Sequence, residues 1–312
     1  MQNPTQQSKY IGVDVAKKEL LACLGNKTRS FANTPEQCAA LLKEAGTRAH
    51  VVCEATGGYE RHLVEAAHAT GNPVSVVMPK RVRYYAYAAG LLAKNDTIDA
   101  RLISRYADAM KPAAQPKPDA CQVELRELMR ARDTLVGQIN RHASRNEHPP
   151  RLALVIEQAK ARAAMLEAHL KQIEQAIKTL IESNDTLRKK AAAIQKIKGV
   201  GKVSARIILA EMPQLGSLEQ GQSASALGVA PHPCESGGYK GKRRTAEGNP
   251  RVRDVLYMAA VSASQHNHIL KVVYARLIAN GKPPQVALTA IMRKLIELIN
   301  HVLKYPDFVL AG

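Results

Sequence analysis

Three prolines fall within Lys111-Pro-Ala-Ala-Gln-Pro-Lys-Pro118, and no helix or interior strand continues through such a segment. Each proline lacks the N–H a hydrogen-bond ladder needs and holds the residue before it away from helical backbone. The segment reads as an extended linker that divides the 312-residue chain. Before it the pattern is α/β. Tyr10–Val15 reads as a buried strand, Glu19–Leu24 and Arg29–Ala32 as the next two, with a turn at Gly25-Asn26. Thr34-Pro35-Glu36 predicts a capped helix start with proline at the first helical position. His50–Cys53 and the all-apolar Pro73–Met78 read as further strands, the latter of the parallel type. Helices are predicted over Tyr59–Thr70, Arg81–Leu92 and Thr97–Met110. A hairpin meander followed by alternating helices and strands implies a mixed sheet flanked by helices.

Beyond the prolines the period is helical throughout. Val123–Asn146 and Leu152–Ser183 read as long helices, with a heptad-like stripe of Leu154, Ala161, Leu166, Leu170, Ile173, Ile177, Leu180 and Ile181 that suits a helix pair or an oligomer seam. Ile197-Lys-Gly-Val-Gly-Lys-Val-Ser204 has the Gly-x-Gly turn of a helix-hairpin-helix element, either one whose N–H groups, with Lys198 and Lys202, suit a phosphate or a plain helix–turn–helix packing corner. A loop from Ala230 to Pro250 comes next, then helices near Arg251–Gln265, Lys271–Ala279 and Gln285–Leu303. The expected organisation is a disordered lead-in over 1–9, an α/β domain over 10–112, a linker and coiled-coil-like arm over 113–190, and a mainly α domain over 191–312.

Lys and Arg number 45 against 27 acidic residues, for a formal charge of +18, which points to nucleic acid or an anionic surface as partner. No apolar run approaches the ~18 residues of a spanning helix, and no membrane role is expected. The five cysteines are scattered, as free thiols in a reducing compartment would be, and His232 with Cys234 are two donors where zinc takes four. With no Trp and two Phe, a base-stacking sheet for single-stranded RNA is not favoured.

Four carboxylates stand out against this charge. Asp14 lies in the apolar run Tyr10-Ile-Gly-Val-Asp-Val15, Glu54 ends His50-Val-Val-Cys-Glu54, and Asp96 and Asp99 form an i,i+3 pair opening a helix. A carboxylate at the end of a buried strand is costly unless it meets a donor, a metal or a substrate. Two strand-end carboxylates and a helix pair can converge on divalent ions, and hard oxygen donors suit Mg²⁺. Lys94 and Arg101 flank the pair, and Lys80, Arg81 and Arg83 mix with tyrosines after a strand, as nucleic-acid contacts or as a solvated face. Lys240, Lys242, Arg243, Arg244, Arg251 and Arg253 cluster after Ser236-Gly-Gly. Read alone, that serine is ordinary turn chemistry.

Taken together, Tyr-Ile-Gly-Val-Asp14-Val-Ala-Lys, Cys-Glu54-Ala-Thr-Gly-Gly-Tyr and Lys-Asn-Asp96-Thr-Ile-Asp99-Ala-Arg strongly resemble the DEDD transposases of the Piv/MooV-like insertion-sequence family. Ile197-Lys-Gly-Val-Gly, Leu227-Gly-Val-Ala-Pro231, Glu235-Ser-Gly237 and Leu256-Tyr-Met258 resemble the C-terminal transposase domain of that family, so the likeness spans nearly the whole chain. The resemblance implies a RuvC-like, RNase H-like N-terminal domain in which Asp14, Glu54, Asp96 and Asp99 bind Mg²⁺, with Mn²⁺ as a substitute. It implies Ser236 as a nucleophile joined covalently to DNA, and a structured non-coding RNA that pairs with donor and target DNA. It further implies a dimer or tetramer, whose active site is shared between the two domain types of different protomers, in the bacterial cytoplasm at the nucleoid. The rival expectation is a RuvC-like, metal-dependent, junction-resolving endonuclease that uses water instead of the serine.

Overall fold

The computed structural model describes residues 10–91, 96–145, 148, 150–231, 235–236, 239–240, 245 and 248–308, and for 96–98, 145, 235, 236, 239 and 240 the backbone alone. The chain forms two compact units, Met1–Lys117 and Pro118–Gly312.

The first unit holds β1 (Tyr10–Val15), β2 (Glu19–Leu24), β3 (Lys27–Ala32), α1 (Pro35–Ala45), β4 (His50–Glu54), α2 (Arg61–Thr70), β5 (Val74–Val77), α3 (Pro79–Ala88) and α4 (Asp96–Met110). The five strands make one mixed sheet in the order β3-β2-β1-β4-β5. β1 pairs antiparallel with β2 and parallel with β4, and β4 pairs parallel with β5. Alternation along β4 sends Val51 and Cys53 to a core shared with Leu41 of α1 and Leu63 of α2. Val52 goes to the opposite core, with Val82 and Ala86 of α3 and Ile103 and Tyr106 of α4. Thr34 caps α1 as expected, its hydroxyl accepting from Gln37 N at 3.4 Å.

One glycine sets the second face. A Cβ on Gly12 would stand 2.3 Å from Ser104 N and 2.4 Å from Ala100 O, both backbone atoms of α4. Only a hydrogen fits there, so α4 lies directly on the β1 backbone.

The proline-rich segment is not the free linker its composition suggests. Gln115 N donates to Val74 O at 2.8 Å, and the Ser75 hydroxyl donates to Ala113 O at 2.8 Å. β5 is the last strand of the sheet, and residues 113–115 cover carbonyls that would otherwise face outward. The expected boundary at residue 112 therefore moves to Lys117.

The second unit holds α5 (Ala120–Arg145), α6 (Ala153–Ser183), α7 (Asp185–Gln195), α8 (Lys202–Glu211), α9 (Gln222–Leu227), β6 (Glu235–Ser236), β7 (Tyr239–Lys240), α10 (Pro250–His266), α11 (His268–Ala279) and α12 (Pro284–Lys304). The arm expected over 113–190 is not separate from the helices C-terminal to it. Leu125 and Met129 of α5 and Ile177, Leu180 and Ile181 of α6 share one core with Ile208, Leu256, Ile291 and Leu295. The heptad-like stripe is buried only toward its C-terminal end: Leu166 and Ile177 are covered, whereas Leu154 is 66% exposed. Within the Ala230–Pro250 loop the structure adds a short antiparallel hairpin, Glu235 opposite Lys240 and Ser236 opposite Tyr239.

Among the described residues no helix is long and apolar enough to cross a membrane.

Candidate active site

The parallel pairing of β1 and β4 carries the site. Val13 stands beside Cys53, so the next residues on the two strands are Asp14 and Glu54. Asp14 is two residues on from Gly12, and Glu54 two on from Val52, so by strand alternation both carboxylates leave the sheet on the α4 side. The close seat of α4 at Gly12 brings Asp99, in the first turns of α4, to the same place. Asp14, Glu54 and Asp99 line one cavity of about 300 Å³, together with Lys80, Arg83 and Tyr87 of α3. All three carboxylates are half-buried. Asp96 opens α4, one helical turn before Asp99, and its side chain lies outside the described atoms.

Three carboxylates on one cavity wall fit a hard divalent ion. Among the described residues no three His, Cys, Asp or Glu side chains stand close enough to enclose an ion by themselves. Mg²⁺ does not require that, since it is commonly held by one or two carboxylates, with water and substrate phosphate oxygens completing its shell. The open cavity leaves room for such oxygens.

α3 supplies the positive side. Arg83 Nε donates to the Tyr87 hydroxyl at 3.3 Å, and the guanidinium lies 5.6 Å from that ring's centroid. The Tyr87 contact, with smaller contributions from Asp99 and Glu54, holds the Arg83 pKa above its ordinary value.

Two positioning residues carried no signal in the sequence reading. Glu60 folds the loop after β4: its Oε2 accepts from Thr56 N at 3.2 Å, Thr56 Oγ1 at 2.5 Å and Gly58 N at 2.9 Å. Burial pushes its pKa up, but these donors outweigh burial and leave it below the usual carboxylate range. The stability Glu60 adds is present above its unfolded pKa and lost as pH falls through the lower folded one. Asn33 Nδ2 donates to Ala16 O and to Tyr59 O, both at 2.9 Å, and so ties the loop after Asp14 to the loop after Glu54. The one available cue was the Thr56-Gly-Gly-Tyr-Glu60 spacing, a turn closed by a carboxylate. Cys53, buried in the core between the sheet and α1 and α2, has its thiol pushed up to about 12 by burial, with Glu60 and Glu54 adding to it, and is structural.

The other expected contacts divide. Lys80, Arg81 and Arg83 are exposed on α3. Arg101 does not line the cavity; its guanidinium reaches Asn26 O at 3.5 Å, at the β2–β3 turn. Lys198 and Lys202 are exposed on either side of the turn between α7 and α8. Ser236 and Lys240 lie in the β6–β7 hairpin, described through their backbone alone. Lys94, His232, Cys234, Lys242, Arg243 and Arg244 lie outside the described residues. Arg253 is half-buried on α10.

Arg251 corrects an expectation. Its guanidinium is spent inside the second unit, on Glu211 Oε1 at 2.6 Å, Asp133 Oδ2 at 2.7 Å and Met129 O at 2.8 Å. It joins α5, α8 and α10 instead of facing a phosphate. Glu211, only 6% exposed at its side chain, also meets Arg130, and Asn249 Nδ2 approaches its Oε2 at 3.4 Å. The Arg251 network therefore anchors the end of the loop that carries Ser236. That same end also lies against the backbone just before the loop begins, since a Cβ on Gly248 would meet Leu227 O at 2.2 Å. Removing one partner of a mostly buried ion pair costs about 3–5 kcal/mol, less where water reaches it. Arg251→Ala is expected to destabilise the second unit by about 2 kcal/mol or more in chemical denaturation. The salt dependence of DNA binding should stay as in the parent, because no phosphate contact is lost.

Comparison with known proteins places the chain in a family. A DEDD-type IS110 transposase family matches residues 11–148, and the transposase IS116/IS110/IS902 family matches residues 191–275. The pilin gene-inverting proteins of Moraxella lacunata and Moraxella bovis are each 27% identical over 316 residues, covering 95% of this chain and 95% of the relative. With the acidic cavity in the part matched by the first family and Ser236 in the part matched by the second, the chain belongs to the IS110 family of transposases and recombinases.

Proposed function

We propose that this protein cuts and rejoins DNA to mobilise an insertion sequence, using Mg²⁺ held by Asp14, Glu54, Asp96 and Asp99 and Ser236 as the nucleophile. The observation that carries the reading is the convergence of Asp14, Glu54 and Asp99 in one cavity faced by Lys80 and Arg83, in a chain of a transposase family. The sheet order, a three-strand antiparallel meander extended by two parallel strands, supports an RNase H-like assignment for the first unit. The bound ions would supply charge neutralisation at the scissile phosphate and acidify a bound hydroxyl.

Within the chain, Asp14 and Glu54 are held by the strand pairing and Asp99 by the α4–β1 contact, so their oxygens are placed before substrate arrives. Ser236 Oγ attacks phosphorus, its proton is lost, and one P–O bond to a strand end breaks. The departing strand end takes up a proton as a free hydroxyl. The product is a phosphodiester between Ser236 and DNA that keeps the energy of the broken bond, so a second strand end can displace the serine without a nucleotide cofactor. An isolated serine is a weak nucleophile, which is why the reaction is read as needing the metal.

Guidance by a structured RNA pairing with donor and target DNA rests on the family resemblance and on the +18 charge. Assembly as a dimer or tetramer is supported by apolar side chains left exposed at the start of α6, Leu154 at 66% and Met165 at 50%.

Ser236→Ala is expected to abolish the covalent protein–DNA adduct, seen as a labelled band resistant to denaturing electrophoresis, and to reduce recombination by at least about 10³-fold. Cleavage that persists in this variant would instead establish the junction-resolving endonuclease that uses water. Sequencing RNA that co-purifies with the protein tests guidance: a discrete species encoded beside the gene is expected, and bulk cellular RNA would overturn it.

A further inference from the structure

Helix α3 does more than wall the carboxylate cavity. Its buried side is narrow: Val82 and Ala86 are covered, and Tyr85 packs edge-on against Tyr106 with ring centroids 5.8 Å apart. The opposite side presents Lys80, Arg83, Tyr84 and Tyr87, spaced i, i+3, i+4 and i+7, which makes them one continuous helical face. Tyr84 is 65% exposed and Tyr87 53%. Tyr87 is nonetheless held in place, hydrogen-bonded at 3.3 Å and flanked by the Arg83 guanidinium. Lys80, Arg83 and Tyr87 all line the cavity that holds Asp14, Glu54 and Asp99.

We propose that this face binds an unpaired nucleic-acid strand, with bases stacked on Tyr84 and Tyr87 and phosphates beside Lys80 and Arg83. The strand then reaches the carboxylates single-stranded. Exposed rings alternating with cations are how proteins hold single strands without reading their sequence, because every base has a face to stack on. A paired duplex offers no such face: its bases are stacked on one another, and it is read at base edges in the grooves. Pinning Tyr87 with Arg83 removes part of the ordering cost of stacking on it. The proposal rests on the reading of the acidic cavity as the place of strand cleavage, and is independent of the serine and of the guide RNA.

Binding of the full chain to labelled oligonucleotides, followed by fluorescence anisotropy in EDTA, tests it. The probes are single-stranded DNA, RNA of the same sequence, and duplex DNA, at about 0.2 M salt so that purely electrostatic binding is suppressed. Stacking on one ring is commonly worth about tenfold in affinity. The Tyr84→Ala, Tyr87→Ala double variant should therefore lose tenfold or more for the unpaired probes and less than about twofold for duplex. The corresponding Phe double variant keeps both rings and loses only the Arg83–Tyr87 hydrogen bond, so it should stay within about threefold of the parent. Loss on the DNA strand alone assigns the face to DNA, and equal loss on RNA assigns it to either strand. Unchanged single-strand binding in the Ala variant, or equal losses on single strand and duplex, would overturn the proposal. With no metal present, Asp14→Asn should keep the preference for unpaired probes, so failure of the metal reading and failure of this one are seen separately.

Discussion

Asp14→Asn is expected to lower metal-dependent strand cleavage by about 10³-fold or more while leaving DNA affinity within about twofold of the parent. The substitution is nearly isosteric and keeps one carbonyl oxygen, but it removes the charge that attracts a divalent ion at the junction of β1 and α4. Glu54 lies on the adjacent strand and Asp99 on the helix, and neither can move to replace it without breaking the sheet register or the α4 contact. The same change should not harm folding. Asp14, Glu54 and Asp99 share one cavity that Lys80 and Arg83 also line, so neutralising one carboxylate in metal-free protein gives up attraction as well as repulsion. Thermal unfolding in EDTA should therefore show a midpoint close to that of the parent. A lost activity with a retained midpoint is the signature of a residue kept for its chemistry and not for the fold. Cleavage at parental rates in single-turnover assays would remove Asp14 from the metal site.

The second large effect concerns a residue with no chemistry. Gly12→Ala places a methyl group 2.3 Å from one backbone atom of α4 and 2.4 Å from another. Backbone of a packed helix cannot rotate away as a side-chain tip can, so the helix must shift by an ångström or more. Overpacking of this kind costs about 1–3 kcal/mol and occasionally more, and here about 3 kcal/mol is expected, because both obstructing atoms are main chain. Denaturant unfolding followed by circular dichroism would measure it. Because Asp99 travels with α4, cleavage should fall even at temperatures where the variant remains folded, by about 10²-fold for a displacement near 1 Å. A variant that keeps both its stability and its activity would show that α4 does not sit on β1 as described.

Glycine at position 12 illustrates where reading by pattern stops. In the sequence it is one residue of Tyr-Ile-Gly-Val-Asp, noticed only as part of a motif, and nothing local says that a helix ninety residues later lies against it. The strands and helices themselves were legible, because alternation and helical period are local properties: the reading of Leu152–Ser183 as a helix differs from α6 by a single residue at its start. The five-stranded mixed sheet also followed, from a hairpin meander succeeded by apolar strands. Asp14 and Glu54 could be singled out because a charge in an apolar run is anomalous wherever the run ends up. Glu60 could not, since a carboxylate in a Gly-rich loop looks like any solvated acid until its three donors are seen.

Arg251 marks the opposite error. In a chain of +18 charge, a basic residue beside a run of others reads as a phosphate contact. Its partners, Asp133 and Glu211, are far away along the chain and invisible to composition. The prolines of residues 111–118 misled in a similar way: they do end regular structure, yet the segment still docks on β5, because the edge of a sheet accepts any extended chain that offers one N–H at the right height.

Sequence alone thus determined most of the elements, the strand-end carboxylates, the charge and the family, all properties carried by short windows or by motif order. The tertiary structure decided which carboxylates share a cavity, which cations face them and which are consumed as struts, and where the first unit ends. The physical reason is that these depend on pairings between residues distant in the chain. Such pairings are selected by burial and close packing across the whole unit, and no window of the sequence contains both partners.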